Sequence, residues 1–145
     1  MAFTGGLTND FGPIGAGERY GDVNIILTSD DFQDGLRVGR FAQLDNGKLL
    51  NTNGFAGPLL AGVVLRNVAA PIEDGGIVDG SLYRQVEYMR QGLVTVDVKV
   101  GEKPEKFGAV FVDDNTGEAL SAGGTQARAE FIEKVGQDVW LIRLY

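Results

Sequence analysis

Leu93-Val94-Thr95-Val96-Asp97-Val98-Lys99-Val100 is the stretch whose reading decides the fold class. Val94, Val96, Val98 and Val100 alternate with Thr95, Asp97 and Lys99, so an extended backbone puts four valines on one face and the polar residues on the other. A helix would scatter the same valines around its circumference. The stretch reads as a half-buried strand, and a sheet with one apolar face must bury it by closing or stacking.

Outward from this strand the chain is a series of short apolar segments bounded by turn formers. Toward the C-terminus, Ala109 to Val112 is followed by the turn Asp113-Asp114-Asn115-Thr116-Gly117, and Val139 to Tyr145 reads as a last strand rich in β-branched and aromatic residues. Toward the N-terminus, Val23 to Leu27 ends at Thr-Ser-Asp-Asp. Val38 to Leu44 ends at Asp45-Asn46-Gly47, a strong turn signal that leaves Lys48 a solvated turn lysine. Leu59 to Val68 is punctuated by Gly62 and stops before Ala70-Pro71 and the loop Glu73-Asp74-Gly75-Gly76. Two segments fit either period. Leu82, Val86 and Met89 recur at helical spacing, yet the residues between Gly80 and Gly92 also suit a strand; Ala127 to Val135 is a helix with one apolar side or a strand turning at Gly136-Gln137-Asp138. Short spacing and turn chemistry favour β in both. The expected architecture is mainly β, a small compact β-barrel or β-sandwich of seven or eight strands with an extended glycine-rich N-terminal arm.

That arm is residues 1–22, ahead of a body at 23–145. Glycines at 5, 6, 12, 15, 17 and 21 and Pro13 disfavour a regular helix or a central strand, while Phe3, Leu7, Phe11, Ile14 and Tyr20 punctuate the stretch at wide spacing. A solubilising tail has little use for such anchors, so the stretch reads as an arm lying across this protein or a neighbour, with a disordered tail carrying incidental apolar residues as the alternative; on the first reading these five are the candidate partner-binding residues. Gly12-Pro13-Ile14-Gly15-Ala16-Gly17 lacks both the order and the preceding strand of a phosphate-binding loop.

A chain of 145 residues is about one domain. It contains no cysteine and no histidine, which excludes thiol catalysis, iron–sulfur ligation, imidazole bases and His-ligated metals from its own side chains. Ser29, Ser81 and Ser121 lie in no nucleophile elbow and read as turn residues. Asp30, Asp31 and Asp34, and Asp113 to Glu118, are oxygen-rich but miss the calcium-loop pattern, and Asp and Asn in the second cluster suit a turn that bonds its own backbone. With 20 acidic and 13 basic residues the formal charge is -7, which disfavours direct nucleic-acid binding. No secretory leader pattern is present, and the longest mainly apolar run, Pro58 to Leu65, is far short of a membrane span. A soluble, non-enzymatic product without cofactor, metal or membrane partner is the expectation. Trp140 is expected in the core, and Tyr83 and Tyr88 in the core or at a subunit interface.

The order of segments also resembles a known family. Gly54-Phe55-Ala56-Gly57-Pro58-Leu59-Leu60-Ala61-Gly62-Val63-Val64, and Gly80 to Val98 with its core unit Tyr88-Met89-Arg90-Gln91-Gly92-Leu93-Val94-Thr95-Val96, resemble the capsid cement (decoration) proteins of tailed bacteriophages. Gly108 to Val112 and the closing pair Ala129 to Ile132 and Val139 to Leu144 extend the likeness; Lys106-Phe107-Gly108 departs from it where the family often has Gly-Asp. The resemblance implies a structural virion protein on the outer surface of the capsid. It would bind the major capsid protein, self-associate as a homotrimer and stabilise the lattice, with the arm stretched over neighbouring capsomers and no catalytic residues. The rival readings are another phage structural component, in a tail or fibre, and a carboxylate-based hydrolase or small-molecule-binding β-barrel.

Overall fold

The computed structural model describes residues 15–52, 59–66, 77–78 and 85–145. Phe3, Leu7, Phe11 and Ile14 lie outside the described residues, as do Gly54 to Pro58, the Glu73 to Gly76 loop and the segment from Gly80 through Tyr83.

Among the described residues the regular elements are nine strands: β1 Arg19–Ser29, β2 Phe41–Asp45, β3 Lys48–Asn51, β4 Leu59–Val64, β5 Val86–Asp97, β6 Ala109–Val112, β7 Ala119–Leu120, β8 Thr125–Gly136 and β9 Val139–Leu144. They form one curled antiparallel sheet, a half-barrel, in the order β3-β2-β4-β5-β9-β8-β6-β7, with β1 added on β5. The mainly β expectation holds. So do both strand alternatives, in Val86 onward and in Thr125 to Gly136. The Asn46-Gly47 signal makes a two-residue hairpin between Asp45 and Lys48, both residues at positive φ (50° and 81°), the primed turn whose twist matches the strands it joins.

Strand β5 organises the sheet. One edge carries β1 along nearly its whole length, while the other is shared: β4 pairs Tyr88 and Met89, and β9 pairs Gly92 through Asp97. Between them β5 has a bulge, because Ile26 pairs Met89 whereas Ile25 pairs Gln91 and Arg90 is left over. The bulge flips the side-chain alternation. Met89, Val94, Val96 and Val98 therefore all face the inside of the curl, in a cluster with Phe41, Val63, Val110, Phe131 and Ile142, whereas Val86 and Tyr88 turn outward onto Leu36, Val38, Leu49, Val64 and Val78. Each fully buried side chain of this size stabilises the fold by about 1.5–3 kcal/mol. Trp140 is half-buried and meets Phe131 edge-on, centroids 5.4 Å apart, at the margin of the inner cluster.

Two details of the valine strand differ from expectation. Val100 is 79% exposed, because β5 ends at Asp97 and the turn closed by Glu102 N donating to Lys99 O (3.1 Å) carries Val100 off the sheet. Thr95, on the nominally polar face, is fully buried, because the chain at Gly15 to Glu18 lies over it.

Candidate functional site

Residues 15–18 are wedged into the body. Gly17 N donates to Thr95 O (2.7 Å), Arg66 N to Gly17 O (3.0 Å) and Thr95 N to Glu18 O (2.9 Å). The Thr95 hydroxyl bridges Gly15 O (2.9 Å) and Glu18 N (3.0 Å). Ala16 is buried so tightly against Gly39 that a side-chain carbon on that glycine would stand 2.1 Å from the alanine Cβ. Arg66 Nε lies 3.3 Å from Glu18 Oε1 at the rim. The chain preceding Gly15 therefore leaves from a fixed point. Tyr20 lies in β1, opposite Leu93, and packs half-buried beside Val135, Val139 and Leu141; strand pairing begins at Arg19, ahead of the expected arm–body junction at residue 22.

The second feature is a cleft of about 460 Å³ where the sheet forks. β4 leaves β5 after Met89 and β9 joins it at Gly92, so the branches diverge around Arg90 and Gln91. Arg90 Nη1 donates to Leu60 O (2.8 Å) and Ala61 O (3.1 Å), capping carbonyls that β5 no longer reaches. Across the cleft, β9 ends at Leu144, and no strand among the described residues pairs that edge of Thr125 to Ala127. Phe41, Ala127 and Leu144 supply apolar lining, and Arg128 is exposed beside them. The Arg90-Gln91-Gly92 unit quoted for the family likeness is this fork: the arginine clamps one branch, and Gly92 (φ 129°) leaves room for the Asn24 side chain, whose Oδ1 accepts from Leu93 N (3.3 Å). The sequence marks Arg90 through the Arg-x-Gly spacing of that unit but assigns it no role, and Arg128, followed by Ala129 and Glu130, carries no such signal.

Among the described residues the large exposed apolar side chains, besides Val100, are Ile25 (47% exposed) and Leu27 (42%), two apart on β1, with Phe107 (65%) and Tyr145 (53%). Phe107 has φ 66°, a conformation rare for a bulky side chain, and occupies the turn closed by Gly108 N donating to Glu105 O (2.9 Å). Lys106 Nζ lies 5.5 Å from its ring centroid.

The acidic cluster from Asp113 to Glu118 serves the fold. Asp113 Oδ1 accepts from Asn115 N (2.8 Å) and Thr116 N (3.2 Å), and its Oδ2 meets Lys99 Nζ at 2.7 Å; these bonds, led by the lysine, hold its carboxyl below the usual range. Arg40 Nε contacts Asp97 Oδ2 (3.3 Å) and its Nη2 lies 3.8 Å from Glu118 Oε2, joining β5 to the turn before β7. Burial nevertheless outweighs Arg40 and pushes Asp97 up. Asp30, Asp31 and Asp34 are exposed, and among the described residues no three metal-ligating side chains converge. Ser121 donates to Glu102 Oε1 (3.0 Å), tying together segments 19 residues apart, and Ser29 donates locally to Asp31 O (2.8 Å); Ser81 lies outside the described residues.

These features define a class: a small β-sheet module with a rooted N-terminal segment, a forked-sheet cleft, scattered exposed apolar side chains and no converging metal-ligand set among the described residues. The chain belongs to the XM1 gp53 minor capsid protein family, whose model matches residues 6–144. Its fold is similar to that of a chain in the structure described as the capsid of Myoviridae phage XM1, at 26% identity and a TM-score of 0.84 over 99% of this chain and 97% of that one. No curated protein matches. The chain is thus a phage capsid-associated structural protein, a component of the virion.

Proposed function

We propose that this protein is a non-enzymatic cement subunit: it binds the outside of the assembled head on the major capsid protein, as a homotrimer, and stabilises the lattice. Residues 1–14 are the reaching arm and residues 15–145 the platform. The observation that carries this reading is the rooting of Ala16 and Gly17 between Thr95, Gly39 and Arg66, because a tether transmits force only if its base is fixed. Fourteen extended residues reach roughly 45–50 Å, enough to touch a neighbour from a platform of this size. Several modest contacts on linked arms then give avidity that no single one supplies. Ile25, Leu27 and Phe107 are the platform's own contact anchors.

The test is retention on purified heads of the intact chain and of a chain lacking residues 2–14, with folding of both checked by circular dichroism. The intact chain should coat the shell in a lattice-wide pattern and the truncated one should wash off. Equal retention of the two refutes the arm's role, and a few copies at one vertex point to a tail-associated component instead.

A further inference from the structure

We propose that the fork cleft between β4 and β8 receives the arm of a second copy of this chain, with residues 7–11 adding as a strand across the gap. Three observations meet there. The gap is bordered on one side by β8 at Thr125 to Ala127, an edge without a strand partner among the described residues, and on the other by β4 at Leu60 and Ala61, whose carbonyls accept from Arg90 Nη1. An unpaired edge offers main-chain hydrogen bonds to any extended segment, and side-chain pockets then choose which segment. Its lining is apolar below, at Phe41 and Leu144, and cationic at Arg90 and Arg128, with no Asp or Glu side chain among the described lining residues of a chain whose formal charge is -7.

The arm's sequence is complementary to such a slot. In an extended Leu7-Thr8-Asn9-Asp10-Phe11, Leu7, Asn9 and Phe11 share one face and Thr8 and Asp10 the other. Leu7 and Phe11 fit the apolar lining, and Asp10, the only charged side chain in residues 1–17, meets Arg128. Gly12-Pro13 ends the pairing, since proline has no donor for a ladder. The inference rests on residues 1–14 being an arm, and it deepens that reading by making arm exchange the bond between copies.

The native chain has no cysteine, so cross-linking starts from a clean background. Chains carrying Asn9→Cys, Asp10→Cys or Phe11→Cys are mixed with a chain carrying Gln126→Cys, free and on purified heads, and oxidised. The expected result is an inter-chain disulfide at one or two of the three positions, because that bond needs Cα atoms within about 7 Å. Arg128→Glu should lower the yield, and Asp10→Arg in the Phe11→Cys partner should restore it. No disulfide in either setting overturns the proposal. So does a double-cysteine chain that closes only on itself at every dilution, which would make the occupant the chain's own arm. Retention on heads without the cross-link overturns this inference alone; the cross-link without retention overturns the cement reading and spares it.

Discussion

A side-chain carbon on Gly62 would stand 2.0 Å from the carbonyl oxygen of Met89, the residue that pairs with its neighbour Val63, so β4 can approach β5 this closely only while position 62 is glycine. Gly62 also has φ 147° and sits where Ala42 pairs Gly62 but Gln43 pairs Leu60, an irregularity that lets β4 swing away from β5. Gly62→Ala should cost about 3 kcal/mol or more. Gly47→Ala, strained at φ 81° but with open space around it, should cost about 1 kcal/mol. Urea midpoints of the two variants check this; equal losses would mean that β4 tolerates displacement at the fork.

The rooted segment makes the length of an N-terminal deletion decisive. Removing residues 2–14 should leave the urea midpoint nearly unchanged. Removing residues 2–21 takes away the partners of Thr95 and Arg66 N and strips part of β1, for a loss of about 4 kcal/mol or more, at roughly 1–3 kcal/mol per buried group left unpaired. Similar midpoints for the two truncations would show that residues 15–21 are dispensable.

Asp113 and Asp97 should respond to acid in opposite senses. Asp113 has a lowered folded pKa, so its contribution is present above the unfolded carboxyl value of about 4 and is lost as pH falls through the folded value. Asp97 has a raised folded pKa, so its buried charge weakens the fold at neutral pH and is relieved as pH falls through that raised value. Asp113→Ala should cost about 2 kcal/mol at pH 7, with the difference from the parent shrinking in acid. Asp97→Asn should be neutral or stabilising at pH 7, with its advantage shrinking as pH falls. Denaturation between pH 3 and 7 reads both; a large loss from Asp97→Asn at pH 7 would mean the Arg40 pairing outweighs burial.

Phe107 combines exposure with a left-handed backbone that is strained for a bulky side chain, the two features behind its proposed role as a contact anchor. Phe107→Asn should leave the body as stable or more stable by up to about 1 kcal/mol, since asparagine tolerates this conformation. Its retention on heads should fall. A less stable variant that binds heads normally would instead make the ring part of the fold.

Much of the sheet was legible because its signals are local. Alternating valines announced β5, Asn46-Gly47 announced a two-residue hairpin, and the turn at Asp138 joined two strands close in sequence. The same strand also shows where such reading stops. Val86 and Met89 looked helical because they are three apart; in the structure they face opposite sides of a sheet that is covered on both, and the Arg90 bulge then restores Met89 to the face of Val94. The arm's anchors at Phe3, Leu7, Phe11 and Ile14 lie outside the described residues, whereas Tyr20 belongs to the sheet.

By itself the sequence determined the class of the protein: strands from two-residue periodicity, turns from Gly, Asn and Asp, and the exclusion of thiol and imidazole chemistry from the absence of cysteine and histidine. Only the tertiary structure decided that Thr95 is buried beneath Ala16 and Gly17, that Val100 is exposed, and that β5 hands one edge from β4 to β9 and so opens a cleft. Each of these depends on partners tens of residues away. A strand's own pattern shows which side chains share a face, but what covers that face, and which edge is left unpaired, is set by packing between distant segments.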